Sequence, residues 1–276
     1  MGDQNEMQTF RVGSAEIEYS DRGEGPPLLL IHAGVFADWF VPLASSPILE
    51  GFRVIRVRRA GYKAGSAPTS HLTIGAHAHH CAALLDALGI GGAHVVSHSS
   101  GTLVALELAA SRPELVRSLV LVEPPIAGSL LLPEEAAMVQ PLLGPVFAAA
   151  AAGDIAIAFD AFMTTVCAPD YREVLEAALG AEGLLTAERD SGFFFADEVP
   201  AVLEWAFGAT AAADINQPAL VVQGGASPPI VHDVAARLAG WLPNAELTTV
   251  EGADHLLPLR DAAALARLTS DFTNRH

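Results

Sequence analysis

Short apolar runs alternate along the chain with longer stretches of helical periodicity. The runs at 28–31, 118–122 and 219–222 are nearly unbroken, while those at 53–57 and 247–250 carry polar interruptions. An unbroken run of Val, Leu and Ile this short predicts a strand covered on both faces, as in a parallel sheet. Between the runs, 74–88, 229–239 and 260–272 space their apolar residues for helices, the first stopping at Gly89. Near the start, 9–12 and 15–19 predict a hairpin turned at Gly13-Ser14. Strands alternating with helices in both halves predict an α/β fold with a mostly parallel, doubly wound sheet. The stretch 126–213 breaks the alternation with Ala/Leu-rich helical patterns and no clear strand. The expected organisation is therefore a core of 1–125 and 214–276 with a helical lid, 126–213, inserted into it.

One stretch carries the chemistry. The stretch Ala93–Ser111 opens as a strand at Val95 and Val96 and continues as a helix with Leu103, Leu106 and Leu108, with Ser97-His98-Ser99-Ser100-Gly101 between them. That pentapeptide is a variant of the G-x-S-x-G elbow, with Ser97 in place of the first glycine. So sharp a reversal lifts the Ser99 hydroxyl above the sheet and aims backbone N–H groups of the new helix at what it attacks. A serine needs a base within hydrogen-bond reach, oriented by a third group. Of ten histidines, His255 is best placed, in the loop after the last core strand and before the closing helix. Parallel strands present their C-terminal ends at one rim, so this loop belongs beside the elbow. His98 is expected to flank the pocket and His32 to shape a turn. His71, His77, His79 and His80, with Cys81, offer no tetrahedral ligand set and read as a solvated helix face. No metal site is expected.

With these residues in view, the chain resembles the α/β-hydrolase superfamily over all but the lid. Ile31-His32-Ala33-Gly34 resembles its oxyanion loop, Ser97–Gly101 its elbow and Gly252–His255 its histidine loop. The resemblance implies an oxyanion hole built from the N–H of Ser100 and that of Gly34 or a neighbour. It also implies an orienting carboxylate after the penultimate strand, but Ser227 stands there, in Gly225-Ala226-Ser227-Pro228. A neutral hydroxyl cannot stabilise an imidazolium as a carboxylate does. Glu123 can supply the acid. It ends the strand that follows the elbow helix, at the same rim as Ser99, and neighbouring strands are about 4.8 Å apart. Pro124-Pro125 stiffens its exit. Asp233, Glu251, Asp254 and Asp261 lie on helices or beside the histidine and fit less well, with Asp254 the open alternative. The expected triad is Ser99, His255 and Glu123. A displaced glutamate with Ser-Ser-Gly at the elbow is similar to the zearalenone hydrolase type of lactonase, whose Ser–His–Glu triad opens a macrocyclic lactone.

Composition narrows the substrate. Fifteen basic against thirty-two acidic residues give a net charge of −17, which disfavours nucleic acid and anionic membranes as partners. Between 126 and 213 only Arg172 and Arg189 are basic, against thirteen carboxylates, so phosphate- or CoA-bearing substrates are disfavoured. A small hydrophobic molecule is the expected partner, with a second copy of the chain optional. Val35, Trp39, His98, Phe194 and Trp205 are the expected substrate contacts. Arg58-Arg59 reads as a surface or loop-bracing pair. Two unpatterned cysteines and a polar start, 1–6, predict a reduced, cytoplasmic setting with no leader. The apolar region 147–162 is broken by Asp154 and Asp160 and is not a membrane span. Hydrolysis of an ester or lactone needs no cofactor. Two alternatives share this fold: a cofactor-independent ring-cleaving dioxygenase, whose elbow also carries a histidine where His98 stands, and a low-turnover ligand receptor.

Overall fold

The computed structural model describes residues 6–62, 71–126 and 128–276. Residues 1–5, most of the segment on which the leader expectation rests, lie outside them. Eight strands form one sheet: β1 (Gln8–Val12), β2 (Ala15–Arg22), β3 (Pro27–Ile31), β4 (Arg53–Arg58), β5 (Ala93–His98), β6 (Val116–Val122), β7 (Ala219–Gly224) and β8 (Ala245–Val250). Their order is β1-β2-β4-β3-β5-β6-β7-β8. The β1–β2 and β2–β4 pairs are antiparallel and the rest parallel. The doubly wound α/β expectation therefore holds, hairpin included.

Alternation on β3 shows why its run is unbroken. Leu29 and Ile31 enter a core that takes in helices α2 (Ile74–Ala87), α3 (Ser100–Ser111) and α9 (Pro229–Trp241). Leu28 and Leu30 enter the opposite core, with α1 (Val41–Ala44) and α11 (Ala262–Thr273). All four side chains are fully buried, as a strand sandwiched between helical layers requires. The closing helix expected over 260–272 is two pieces, α10 (Leu257–Arg260) and α11. The break falls at Asp261, whose carboxylate caps α11 by accepting the Ala264 N–H at 2.8 Å.

Between β6 and β7 the described residues form helices and no strand: α4 (Pro133–Ala151), α5 (Ile155–Val166), α6 (Tyr171–Phe193), α7 (Val199–Glu204) and α8 (Ala209–Ala212). A π-helical turn, Phe194–Glu198, joins α6 to α7. A third apolar cluster seats this insertion. Phe159, Met163, Phe194 and Phe195 pack there against Val35, Phe36 and Trp39 of the loop after β3. No helix among the described residues is long and apolar enough to cross a membrane.

Candidate active site

Three strand ends build the site. β3 runs out into Ala33-Gly34-Val35, β5 into Ser99 and β6 into Glu123, and β5 and β6 are paired in register up to His98 and Val122. Val35, Ser99 and Glu123 have φ of 72°, 50° and 48°, and among the described residues they are the non-glycine residues in the left-handed region. Such a conformation costs of order 1–3 kcal/mol and persists only where the surroundings enforce it. Here they do. The Ser99 N–H donates to Val122 O at 3.0 Å and the Glu123 N–H to Val222 O at 2.7 Å. Gly34 O accepts from Trp39 Nε1 at 2.8 Å and from the Phe36 N–H at 2.9 Å. The elbow also closes on the backbone of the β3 exit: a Cβ at Gly101 would lie 2.5 Å from His32 O, so no side chain fits there.

Glu123 is fully buried. Its Oε2 is 3.2 Å from Nδ1 of His255. Its Oε1 accepts the Gly224 N–H at 2.5 Å and the Ser227 hydroxyl at 2.9 Å. A buried carboxylate needs its lone pairs filled, and the turn after β7 supplies two of the donors. Ser227 thus stands where the resemblance called for an acid and donates to the carboxylate at the end of β6. That supporting part escaped the sequence reading. Asp254 is occupied elsewhere: its carboxylate accepts from the N–H of Ala168 at 2.8 Å, in the insertion, and from that of Leu256 at 3.1 Å. With Nδ1 turned to Glu123, the His255 ring presents Nε2 on its other edge.

Ser99 and His255 face one pocket. Ala33, Gly34 and Val35 form its rim, and Trp39, Phe162, Val166 and Phe194 its apolar walls. Its free space, open mouth included, is about 220 Å³. Phe162 and Val166, from α5, are wall residues that the sequence reading did not name. Among the described residues no lysine or arginine lines the pocket.

A family model described as the alpha/beta hydrolase fold matches residues 26–262. The chain belongs to the α/β-hydrolase family. Among solved structures, an enol-lactonase from Burkholderia xenovorans superposes with a TM-score of 0.80 at 22% identity, covering 97% of this chain and 100% of that one. An N-acyl homoserine lactone degrading enzyme, Est816, gives 0.72 at 21% identity, over 96% of this chain and 100% of its own. A putative carbamate hydrolase of Azorhizobium caulinodans is 33% identical over 111 residues, 40% of this chain and 42% of that protein. The acetyltransferase component of an acetoin-cleaving system of Cupriavidus necator is 32% identical over 116 residues, 41% of this chain and 30% of that protein. The chain thus spans well under half the length of these curated relatives in the matched regions.

Two expected substrate contacts of this α/β hydrolase are not on the pocket wall. His98 is fully buried beneath it, its ring 4.7 Å from that of Trp39 and 4.6 Å from that of His255. As the last residue of β5, inside the elbow, it points into the layer under the site. Trp205 lies on the far side of α3, where its indole N–H donates to Glu107 at 2.9 Å and its ring stacks on Phe207. Val35, Trp39 and Phe194 do line the pocket. His32 sits in the turn after β3: its Nε2 accepts the Arg59 N–H at 3.0 Å and its Nδ1 meets Ala33 O at 2.5 Å.

Other polar positions differ in part from expectation. Arg58 pairs with Glu18 and Asp38 at a half-buried edge, whereas Arg59 is not at the surface but 1% exposed, bracing the loop after β3 through Ala33 O and pairing with Glu198 of the insertion. His77 and His80 turn inward on α2 while His79 faces solvent, so this is not a wholly solvated helix face. His71 meets Glu204 at 3.0 Å. Among the described residues no group of three or more ligating side chains is arranged to hold a metal ion.

These buried histidines make stability depend on pH. Burial pushes His32, His77 and His98 well below the usual imidazole value, helped by Arg59 at His32 and His77 and by His255 at His98. Each stays neutral in the fold, whereas the unfolded chain takes up protons as pH falls through about 6.5. The stability present above that pH is therefore lost below it, by up to about 1.4 kcal/mol per pH unit for each histidine. Thermal melts should fall steeply between pH 7 and 5, and His77→Gln should flatten the fall. A melting temperature that stays level across that window would contradict the neutral assignment.

Proposed function

We propose that the chain is a serine hydrolase that cleaves an ester or lactone bond of a small, largely apolar molecule through an acyl-enzyme. The observation that carries the reading is the 3.2 Å contact between Glu123 and His255, with His255 and Ser99 on the walls of one pocket. Ser99 Oγ attacks the carbonyl carbon as His255 Nε2 takes its proton. Glu123 holds Nδ1–H, fixes the tautomer and steadies the imidazolium. The carbonyl oxygen, now negative, receives the N–H of Ser100, an orphan donor as the first residue of α3, and that of Gly34. Each such donor contributes on the order of 3 kcal/mol to the transition state. His255 then protonates the departing alkoxide, and a water activated by the same base releases the acid and regenerates Ser99.

Walls that among the described residues carry no lysine or arginine favour a neutral substrate, in line with the sparse basic residues of 126–213. The lactone-directed names of the two structural neighbours agree with lactone cleavage, as does the resemblance to zearalenone hydrolases. A macrocyclic lactone is larger than the present space, so its entry requires the insertion to open as a lid. The oxygenase alternative rested on His98, and that ring does not front the pocket.

The test is turnover of p-nitrophenyl esters of graded acyl length, an acyl homoserine lactone and a resorcylic macrocyclic lactone, by wild type and Ser99→Ala. Wild type is expected to cleave at least one class and Ser99→Ala to fall to background. Failure to cleave any of them, with Ser99 inert to a fluorophosphonate, would overturn the hydrolase reading. Oxygen uptake would then be the measurement to follow.

A further inference from the structure

Against the oxyanion loop lies a second group of polar side chains that the mechanism above does not use. Glu198, Tyr62 and Arg59 are at most 1% exposed, and Ser100 is 3% exposed. Glu198 comes from the π-helical turn of the insertion; the other three belong to the core. Its Oε1 accepts the Ser100 hydroxyl at 2.5 Å and Arg59 Nη2 at 2.9 Å. Its Oε2 accepts the Tyr62 hydroxyl. The same Arg59 Nη2 donates to Ala33 O at 3.1 Å.

Burying a carboxylate and a guanidinium is expensive, and apolar side chains of equal volume would seat the insertion at least as well. What the ionic group adds is direction. Ala33 O and the Gly34 N–H are opposite ends of one planar trans peptide, so a donor fixed on the oxygen aims the N–H the other way. Arg59 holds that oxygen from its side chain. Glu198 holds Arg59 and also the side chain of Ser100, whose own N–H is the second oxyanion donor. Gly34 is the point where these parts meet: a Cβ there would lie 2.4 Å from the Phe194 ring and 3.2 Å from Ser100 Oγ.

We propose that Glu198 is a positioning residue for the hydrolysis: carried by the insertion, it aligns the Gly34 and Ser100 N–H groups when the insertion is seated. Closure over the substrate and completion of the oxyanion hole are then one event. The idea rests on the hydrolase reading and is separable from it by experiment.

Wild type, Glu198→Gln and Ser100→Ala are titrated with a fluorophosphonate to count live sites, then assayed on the best p-nitrophenyl ester. Inhibition by a matching trifluoromethyl ketone, whose adduct on Ser99 places an oxyanion in the hole, is measured in parallel. Glu198→Gln should lower kcat per titrated site on the order of 10- to 100-fold, short of the loss from deleting a donor outright. KM should stay within about threefold, and ketone affinity should weaken with kcat. Ser100→Ala, which leaves the Arg59–Glu198 pair in place, should move both readouts the same way by a smaller factor, and it carries the test should Glu198→Gln fail to fold. A lower melting temperature with unchanged kcat per site and unchanged ketone affinity would overturn the positioning role, leaving Glu198 a structural brace. A wild type that neither labels at Ser99 nor cleaves any ester would overturn the hydrolase reading, and this role with it.

Discussion

Glu123→Gln is expected to lower kcat on the best ester by about 10³–10⁴-fold while barely changing KM, an effect comparable to the loss of the orienting carboxylate in other triads. The size follows from the hydrogen bonds. Oε1 of Glu123 is claimed by two donors, the Gly224 N–H and the Ser227 hydroxyl, so a glutamine keeps its carbonyl oxygen there. Its NH₂ is then forced toward His255, where it donates to Nδ1. That stabilises the tautomer with a proton on Nε2, which cannot take one from Ser99. A paired variant tests the displacement of the acid. In Glu123→Ala with Ser227→Asp, the carboxylate starts from a residue whose hydroxyl now lies 2.9 Å from Glu123 Oε1. Tenfold or greater recovery over Glu123→Ala alone is expected. Steady-state kinetics with titrated sites decide both points. Undiminished turnover in Glu123→Gln would mean that another acid serves His255.

Arg59→Met should be the most damaging substitution away from the pocket. It leaves the fully buried Glu198 carboxylate without its counter-charge, a change that costs about 3–5 kcal/mol when one partner of a buried pair is removed. In a chain of this size the melting temperature should fall on the order of 10 °C. The double variant Arg59→Met, Glu198→Leu removes both charges and should regain more than half of the loss. Scanning calorimetry on the three proteins distinguishes these outcomes. A single variant that melts with wild type would mean that water reaches the pair.

Much of this architecture is written into local pattern. Strands covered on both faces must be apolar at every position, so β3, β6 and β7 stand out as runs. The placement of Glu123 at the rim with Ser99 could be read because β5 and β6 are neighbours in the sheet, which puts two strand ends at one rim. Ser227 was visible as a departure from the usual acid but not as its support, since a hydrogen bond between turns leaves no periodic trace. His77 did leave one: it shares a helical face with Ile74, Cys81 and Leu84, the side of α2 that meets the sheet. Glu198 and Arg59 left none. Among thirteen carboxylates in a helical stretch, the one that is fully buried looks like the solvated ones, and its partner is 139 residues away. Aromatic residues misled for a similar reason: Trp205 and Phe194 are equally apolar, and only packing decides which one meets a ligand.

The left-handed turns at Val35, Ser99 and Glu123 set folding and chemistry against each other. Glycine would relax each of them, and Val35, branched at Cβ, is the least suited of the three to its place. Sequences freed from the demand for activity can therefore drift at these positions toward sturdier, inert proteins. Under the proposed hydrolysis, a valine, a serine and a glutamate at these three turns are strain kept for the reaction at the expense of the fold.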